Sequence, residues 1–241
     1  MTHTIHVASD ASDATAQAAH ALSQAIVDTI SSNIPTLCLF SGGSAFSILN
    51  LLPIPADASV CTIGVLDERY TANPKESNFR QLVASDFCTR MLSAGASAID
   101  TWPHSGESAS ELAIRFEYAL RLWSTTHPDG RILITQGMGP DGHTSGMMPF
   151  PDDPEKFGEL FDNEAHWVAA YDATGKNPYP SRVTTTCAFL RHVDTSIFLI
   201  TGEEKRPAYT RLLTKHGDLT HTPARIVREM KSVLIFTDIS I

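Results

Sequence analysis

Apolar positions along this chain follow two alternating patterns: short continuous runs of strand length, and longer stretches spaced every three or four residues. Ile5–Val7 opens as a short strand. From Ala14 onward Ala18, Leu22, Ile26 and Ile30 recur at helical spacing and predict one buried stripe. Leu37–Phe40 is a compact apolar run ended by Ser41-Gly42-Gly43, which predicts a buried strand, with a short helix following to Leu52. Cys61–Leu66 predicts a second buried strand, then a polar loop and a helix starting at Ser77. Ser108 and Glu111 fit a capping box, and Leu112, Phe116, Leu120 and Trp123 continue that helix on one face. Arg131–Gln136, Val168–Tyr171, Val183–Thr186, Ile197–Thr201 and Val233–Thr237 read as further strands, with helical pieces around Arg206–Lys215 and Pro223–Met230. Such alternation implies a doubly wound α/β fold: a mostly parallel sheet with helices on both faces. The Pro-rich stretch 149–154 is the one candidate break, and it does not resemble a linker, so residues 1–241 read as a single domain.

Composition and charge restrict what such a domain can do. The chain is 42% apolar and 19% charged, a globular composition, and it contains no apolar run of the roughly 18 residues a membrane helix needs. Its net charge of −9 and the absence of a basic cluster argue against nucleic-acid or anionic-membrane partners. An anionic substrate would need a local positive patch on an acidic body. Cys38, Cys61, Cys88 and Cys187 are widely spaced, form no C-x-x-C pair and read as reduced thiols. With no export signal at the amino terminus, the expectation is a cytoplasmic protein.

In open α/β sheets ligands bind beyond the carboxyl ends of the strands, and four post-strand segments carry unusual residues. Ser41-Gly42-Gly43-Ser44 offers main-chain N–H groups at a helix start, suited to an anion, although Gly-Gly pairs also serve plain tight turns. Asp67-Glu68-Arg69 joins two carboxylates to a guanidinium; the bland alternative is a surface ion pair worth under about 1 kcal/mol. Gly137-Met138-Gly139-Pro140-Asp141-Gly142-His143-Thr144 matches G-x-G-x-x-G. However, Pro140 stiffens the turn, and Asp141 would face a pyrophosphate with the wrong charge. Asp141 beside His143 suits general base catalysis instead. Arg182, after Pro178-Tyr179-Pro180-Ser181, and Lys205, after Gly202-Glu203-Glu204, are late cations. Lys205 stands at a helix start, where a positive charge opposes the macrodipole, which favours a binding role.

Taken in order, Ser41–Ser44, Asp67-Glu68-Arg69 with Ser77-Asn78, Gly137–Thr144, Arg182-Val183-Thr184 and Gly202-Glu203-Glu204-Lys205 resemble the 6-phosphogluconolactonase family. That family belongs to a wider superfamily with glucosamine-6-phosphate deaminase and isomerase. The resemblance spans nearly the whole chain and implies a cofactor-free, metal-free hydrolase of the pentose phosphate pathway. Such an enzyme opens 6-phospho-D-glucono-1,5-lactone to 6-phosphogluconate. It implies His143 as the base that activates water, with Asp141 or a neighbouring carboxylate orienting it, and Arg69 beside Asp67 at the reacting end. Gly42, Gly43, Ser44, Asn78, Arg182 and Lys205 would bind substrate and phosphate. The oligomeric state is left open.

The chain departs from the family pattern at two places that bear on substrate choice. Ala45-Phe46 replaces the usual Thr-Pro, and Ser145-Gly146-Met147-Met148 replaces the usual Ala-Ser-Leu-Phe. Two rival readings stay open: an amino-sugar phosphate deaminase or isomerase, and a non-catalytic sugar-phosphate sensor. The deaminase branch carries Asp-Glu-Tyr where this chain has Arg69. It also carries a glutamate five residues after the histidine, where this chain has Met148.

Overall fold

The computed structural model of the protein describes residues 2–240. Seven strands form one parallel sheet: β1 (Thr2–Val7), β2 (Thr36–Phe40), β3 (Cys61–Val65), β5 (Ser97–Ala98), β6 (Arg131–Gly137), β9 (Thr195–Ile200) and β10 (Ser232–Thr237). Their order across the sheet is β1-β10-β9-β6-β2-β3-β5. From β2 the chain moves outward through β3 and β5. It then returns to lay β6 against the other side of β2, in the register Thr36 to Arg131 and Leu39 to Ile134. The sheet therefore reverses direction between β2 and β6, and loops leaving those two strands diverge around a crevice.

Side chains alternate across the sheet because successive residues of a strand point to opposite faces. On β2, Leu37 and Leu39 enter one apolar core, while Cys38 and Phe40 enter a second on the opposite face. Helix α1 (Ala11–Ser31) covers the second face with Ala14, Ala18, Leu22 and Ile26, the stripe its spacing predicts. Helix α4 (Ala109–Thr126) lies on the other side. Its start is the capping box read from Ser108 and Glu111, and Leu112, Phe116, Leu120 and Trp123 are all buried.

Two expected strands do not join the parallel sheet. The segments read as Val168–Tyr171 and Val183–Thr186 are β7 (Val168–Asp172) and β8 (Ser181–Thr185). With β4 (Asp67–Arg69) they make a separate antiparallel sheet of order β4-β8-β7. A parallel crossover needs a dozen or more residues and usually a helix, whereas only residues 173–180 link β7 to β8, so the pair closes as a hairpin. This small sheet packs Val168, Ala169 and Val183 against α4 in the first core. The polar run after β3, expected as a loop, is the strand β4. The stretch to Leu52 and the segment Pro223–Glu229 are 3₁₀ turns. Short helices not expected from periodicity are α3 (Asp86–Ser93), α5 (Pro154–Phe161) and α6 (Cys187–Leu190).

Helix α2 (Asn78–Val83) is fastened to β4 by one buried side chain. The Glu68 carboxylate accepts from the main-chain amides of Asn78 at 2.7 Å and Phe79 at 2.9 Å, and from the Ser77 hydroxyl at 2.8 Å. It also accepts from the amide of Arg69 at 2.6 Å. Burial pushes this carboxyl up to about 7, against four donors that favour its charge. Folding therefore takes up a proton: the contribution is complete below the ordinary value of 4.5 and is lost as pH rises through about 7. Glu68→Ala strands buried amides and is expected to cost about 3 kcal/mol or more. Ser108→Ala, an exposed cap, should cost about 1 kcal/mol. Urea titration from pH 4 to 8 checks both, and the pH component assigned to Glu68 should vanish in its variant.

Candidate active site

A cavity of about 310 Å³ opens at the carboxyl ends of β2 and β6, where the sheet reverses. Gly42 and Gly43 line it from the loop after β2, Gly137–Gly139 and His143 from the loop after β6, and Asp67, Arg69 and Arg182 from the small sheet. Asn78 enters from the first turn of α2, and Lys205 from the turn after β9. Of the ten residues given a site role in the sequence, eight therefore converge on one space: Gly42, Gly43, Asp67, Arg69, Asn78, His143, Arg182 and Lys205. Asp141 stands behind His143 and does not line it. The side chain of Ser44 lies outside the described part of the structure.

The His143 loop is built from its glycines. Gly139 donates its amide to the His143 carbonyl and Gly142 donates to the Gly139 carbonyl, both at 3.0 Å, and Gly142 adopts φ +98°. A Cβ on Gly139 would sit 2.1 Å from the imidazole Cε1, so only glycine lets the ring lie against this turn. His143 Nδ1 is 2.6 Å from Asp141 Oδ1, and the same oxygen accepts the His143 amide at 3.1 Å. Asp141 thus accepts a hydrogen bond from Nδ1–H, the tautomer that leaves Nε2 as the nitrogen with a free lone pair. Partial burial opposes the charge on Asp141, but the hydrogen bond and charge of His143 outweigh it and hold the carboxyl below its usual range.

Across the cavity, Asp67 and Arg182 form an ion pair whose side chains are each only 6% exposed. They face one another because β4 and β8 pair antiparallel, with Arg69 opposite Arg182 and Asp67 opposite Thr184. Asn78 donates its side-chain amide to the Asp67 carbonyl at 2.9 Å. A Cβ on Gly42 would meet Asn78 Oδ1 at 2.3 Å, so glycine here also serves close approach. Arg69 Nε, Arg182 Nε and Asn78 Oδ1 are buried without a hydrogen-bond partner among the described residues. Buried polar groups are nearly always paired, so three orphans around one cavity mark it as a place for a polar ligand.

Of the three Lys and Arg side chains that line the cavity, Arg69 and Lys205 form no ion pair among the described residues. Lys205 is buried, and burial lowers the pKa of its ammonium despite the opposing charges of Glu204 and Asp238. Arg69 donates to the Glu76 carbonyl at 3.2 Å and stacks over the Tyr179 ring, 4.2 Å from its centroid. Tyr179 and Asn177, from the β7–β8 connection, line the cavity and were not singled out from sequence. The available signal was an aromatic held between Pro178 and Pro180 just ahead of Arg182.

The departures at Ser145–Met148 divide between cavity and core. Ser145 and Gly146 line the cavity with φ of +52° and +77°, while Met147 and Met148 are fully buried in the apolar core. Among the described residues no group of three or more His, Cys, Asp or Glu could hold a metal ion, and no helix is long and apolar enough to cross a membrane.

Breaking the Asp67–Arg182 pair from one side leaves an uncompensated buried charge, which typically costs about 3–5 kcal/mol. Asp67→Ala and Arg182→Ala are each expected to lose stability on that scale. The double variant should lose clearly less than their sum, measured by urea unfolding as a double-mutant cycle.

A family model described as glucosamine-6-phosphate isomerases/6-phosphogluconolactonase matches residues 9–236. The 6-phosphogluconolactonase of Homo sapiens is 30% identical over 197 residues, which is 78% of this chain and 72% of that protein. That of Bos taurus is 30% identical over 182 residues, 72% of this chain and 66% of the relative. Among solved structures, 6-phosphogluconolactonase from Thermotoga maritima superposes with a TM-score of 0.72 at 21% identity, covering 98% of this chain and 99% of its own. The Trypanosoma brucei 6-phosphogluconolactonase gives 0.68 at 20% identity, covering 98% and 96%. At such identities the structural likeness carries the fold, and the sequence match carries the rest: the chain belongs to the family of glucosamine-6-phosphate isomerases and 6-phosphogluconolactonases.

Proposed function

We propose that the protein hydrolyses 6-phospho-D-glucono-1,5-lactone to 6-phosphogluconate, with His143 as general base. The observation that carries the reading is the Asp141–His143 pair at 2.6 Å, with His143 on a cavity that also holds the unpaired cations Arg69 and Lys205. Nε2 of His143 takes a proton from water as the oxygen attacks the lactone carbonyl carbon. Asp141 stabilises the imidazolium through Nδ1. Negative charge develops on the carbonyl oxygen, and the Arg69 guanidinium offsets it. When the carbonyl re-forms, the bond to the ring oxygen breaks, and the imidazolium returns its proton to that oxygen. The acid and the freed hydroxyl leave with no net change in the enzyme.

The phosphate lies against Lys205 and the main-chain amides of Gly42 and Gly43, with Ser44 in the same turn. Arg182 contributes charge while held by Asp67, and Asn78 offers its unpaired Oδ1 to a sugar hydroxyl. Clamping the phosphate fixes the distant carbonyl against the base, which is catalysis by positioning. Met148 bears on the rival reading. Its thioether is buried in the core and cannot do the acid–base work of the deaminase branch.

The test is an assay with freshly generated lactone, corrected for spontaneous hydrolysis, run beside glucosamine 6-phosphate as the alternative substrate. Turnover of the amino sugar instead of the lactone would sink the proposal. His143→Ala is expected to lower kcat about 10²-fold or more, the usual contribution of a general base. Lys205→Ala should lose about 10- to 150-fold in discrimination against a lactone lacking the phosphate, corresponding to one charge-assisted contact. Lys156→Ala is the control. Its ammonium lies 5.4 Å from the Phe150 ring centroid and does not line the cavity.

A further inference from the structure

The turn carrying the base is gripped from outside by two elements that do not touch the cavity. Helix α7 (Arg206–Leu213) starts directly after Lys205 and ends near the Asp141–Gly142 turn. From its last turn, Arg211 donates an Nη2 hydrogen to the main-chain carbonyl of Asp141 at 2.9 Å, and its Nε hydrogen to the Thr222 hydroxyl at 3.2 Å. One residue along, the amide of Ala224 donates to the Gly142 carbonyl at 3.0 Å. Two consecutive carbonyls of the turn are thus each taken by a donor from another element. The fit is close: a Cβ on Gly142 would meet Thr222 Cγ2 at 3.0 Å and Arg211 Nη2 at 3.5 Å. The end of α7 is itself held, because the Arg225 guanidinium donates to the Arg211 carbonyl at 2.6 Å and the Thr214 carbonyl at 3.0 Å.

We infer that Arg211 is a positioning residue: by fixing the Asp141–Gly142 peptide it holds the Asp141 carboxylate on Nδ1 and thereby the His143 ring at its working angle. This rests on the reading of His143 as the base. The local turn does not suffice by itself. Among the described residues the Asp141 carboxylate is bonded to no group outside its own turn, so carboxylate and ring could shift together without losing their contacts. Arg211 ties that unit to the body of the protein. It does so with a planar fork that reaches Asp141 and Thr222 at once, geometry that suits arginine. Small errors matter here, since a misplacement of about 1 Å at a reacting group can cost about 10²-fold.

The test compares Arg211→Met with Arg206→Met. Arg206 lies on the same helix but pairs with Glu203 and the Ser240 carbonyl. Charged groups facing His143, which are Asp141 on its own turn and Asp67, Arg69, Arg182 and Lys205 across the cavity, are unchanged in both variants. Arg211→Met is expected to lower kcat about 10-fold with KM within about twofold, because Arg211 does not contact the cavity. The His143 ring, followed by nuclear magnetic resonance without substrate and assigned with His143→Gln, should titrate at lower pH. A loosened carboxylate no longer supports the imidazolium, and the acid limb of the rate profile should move with it. Loss of a remote positive charge alone would shift the ring the opposite way. An upward shift, or no shift with kcat unchanged, therefore overturns the inference. If the wild type fails to hydrolyse the lactone, the proposed function falls, while the ring titration still decides the role of Arg211.

Discussion

The geometry of the site depends on one buried carboxylate that lies outside the cavity. Strand β4 has three residues, and the side chains of a strand alternate, so whichever way Glu68 points, Asp67 and Arg69 point the other way. Glu68 is committed by four donors, three of them at the start of α2 and at its cap. With it fixed, Asp67 and Arg69 line the cavity. The same bonds bring Asn78 to the rim, where it grips the Asp67 carbonyl. A strand too short to be held by its own ladder is thus given a face by a side chain.

Electrostatics of the cavity run against those of the molecule. The chain has a net charge of −9, yet the cavity lining holds Arg69, Arg182 and Lys205 against a single carboxylate, Asp67. The cations come from β4, β8 and the turn after β9, segments that no local rule of sequence brings together. Their roles divide by partner. Arg182 is neutralised and fixed by Asp67, whereas the ammonium of Lys205 has no ion-pair partner among the described residues and is partly desolvated. An acidic body around a small cationic cavity repels extended polyanions while the potential inside the cavity stays locally positive.

Two glycines make the site possible by what they lack. At Gly139 a side chain would occupy the place of the imidazole, and at Gly42 it would occupy the place of the Asn78 amide. Neither has the positive φ for which glycine is usually invoked. Both are needed because a functional side chain must lie against bare backbone. The turn at Gly142 is the opposite case, with φ of +98° and outside donors holding its carbonyls.

Much of this was legible along the chain. The stripe of α1, the face and capping box of α4 and the runs of β2, β3, β6, β9 and β10 follow from local periodicity, because a face buried against one layer leaves a repeat in the sequence. The segments that line the cavity were legible in part: glycines after a strand let backbone approach a ligand closely, but they serve plain tight turns as well, so only the fold shows that these segments meet. Other features depended on contacts between distant segments. The second sheet was missed because hairpin and crossover strands share the same apolar pattern, and only the short span 173–180 separates them. Tyr179, Glu68 and Arg211 draw their meaning from partners distant in space: Arg69, the start of α2 and the Asp141 carbonyl. A residue type and its neighbours in sequence determine what chemistry is available. Which charge is neutralised, which donor is left free and which turn is held are decided by strand order and antiparallel pairing, because those alone set the distances at which Coulomb and hydrogen-bond energies act.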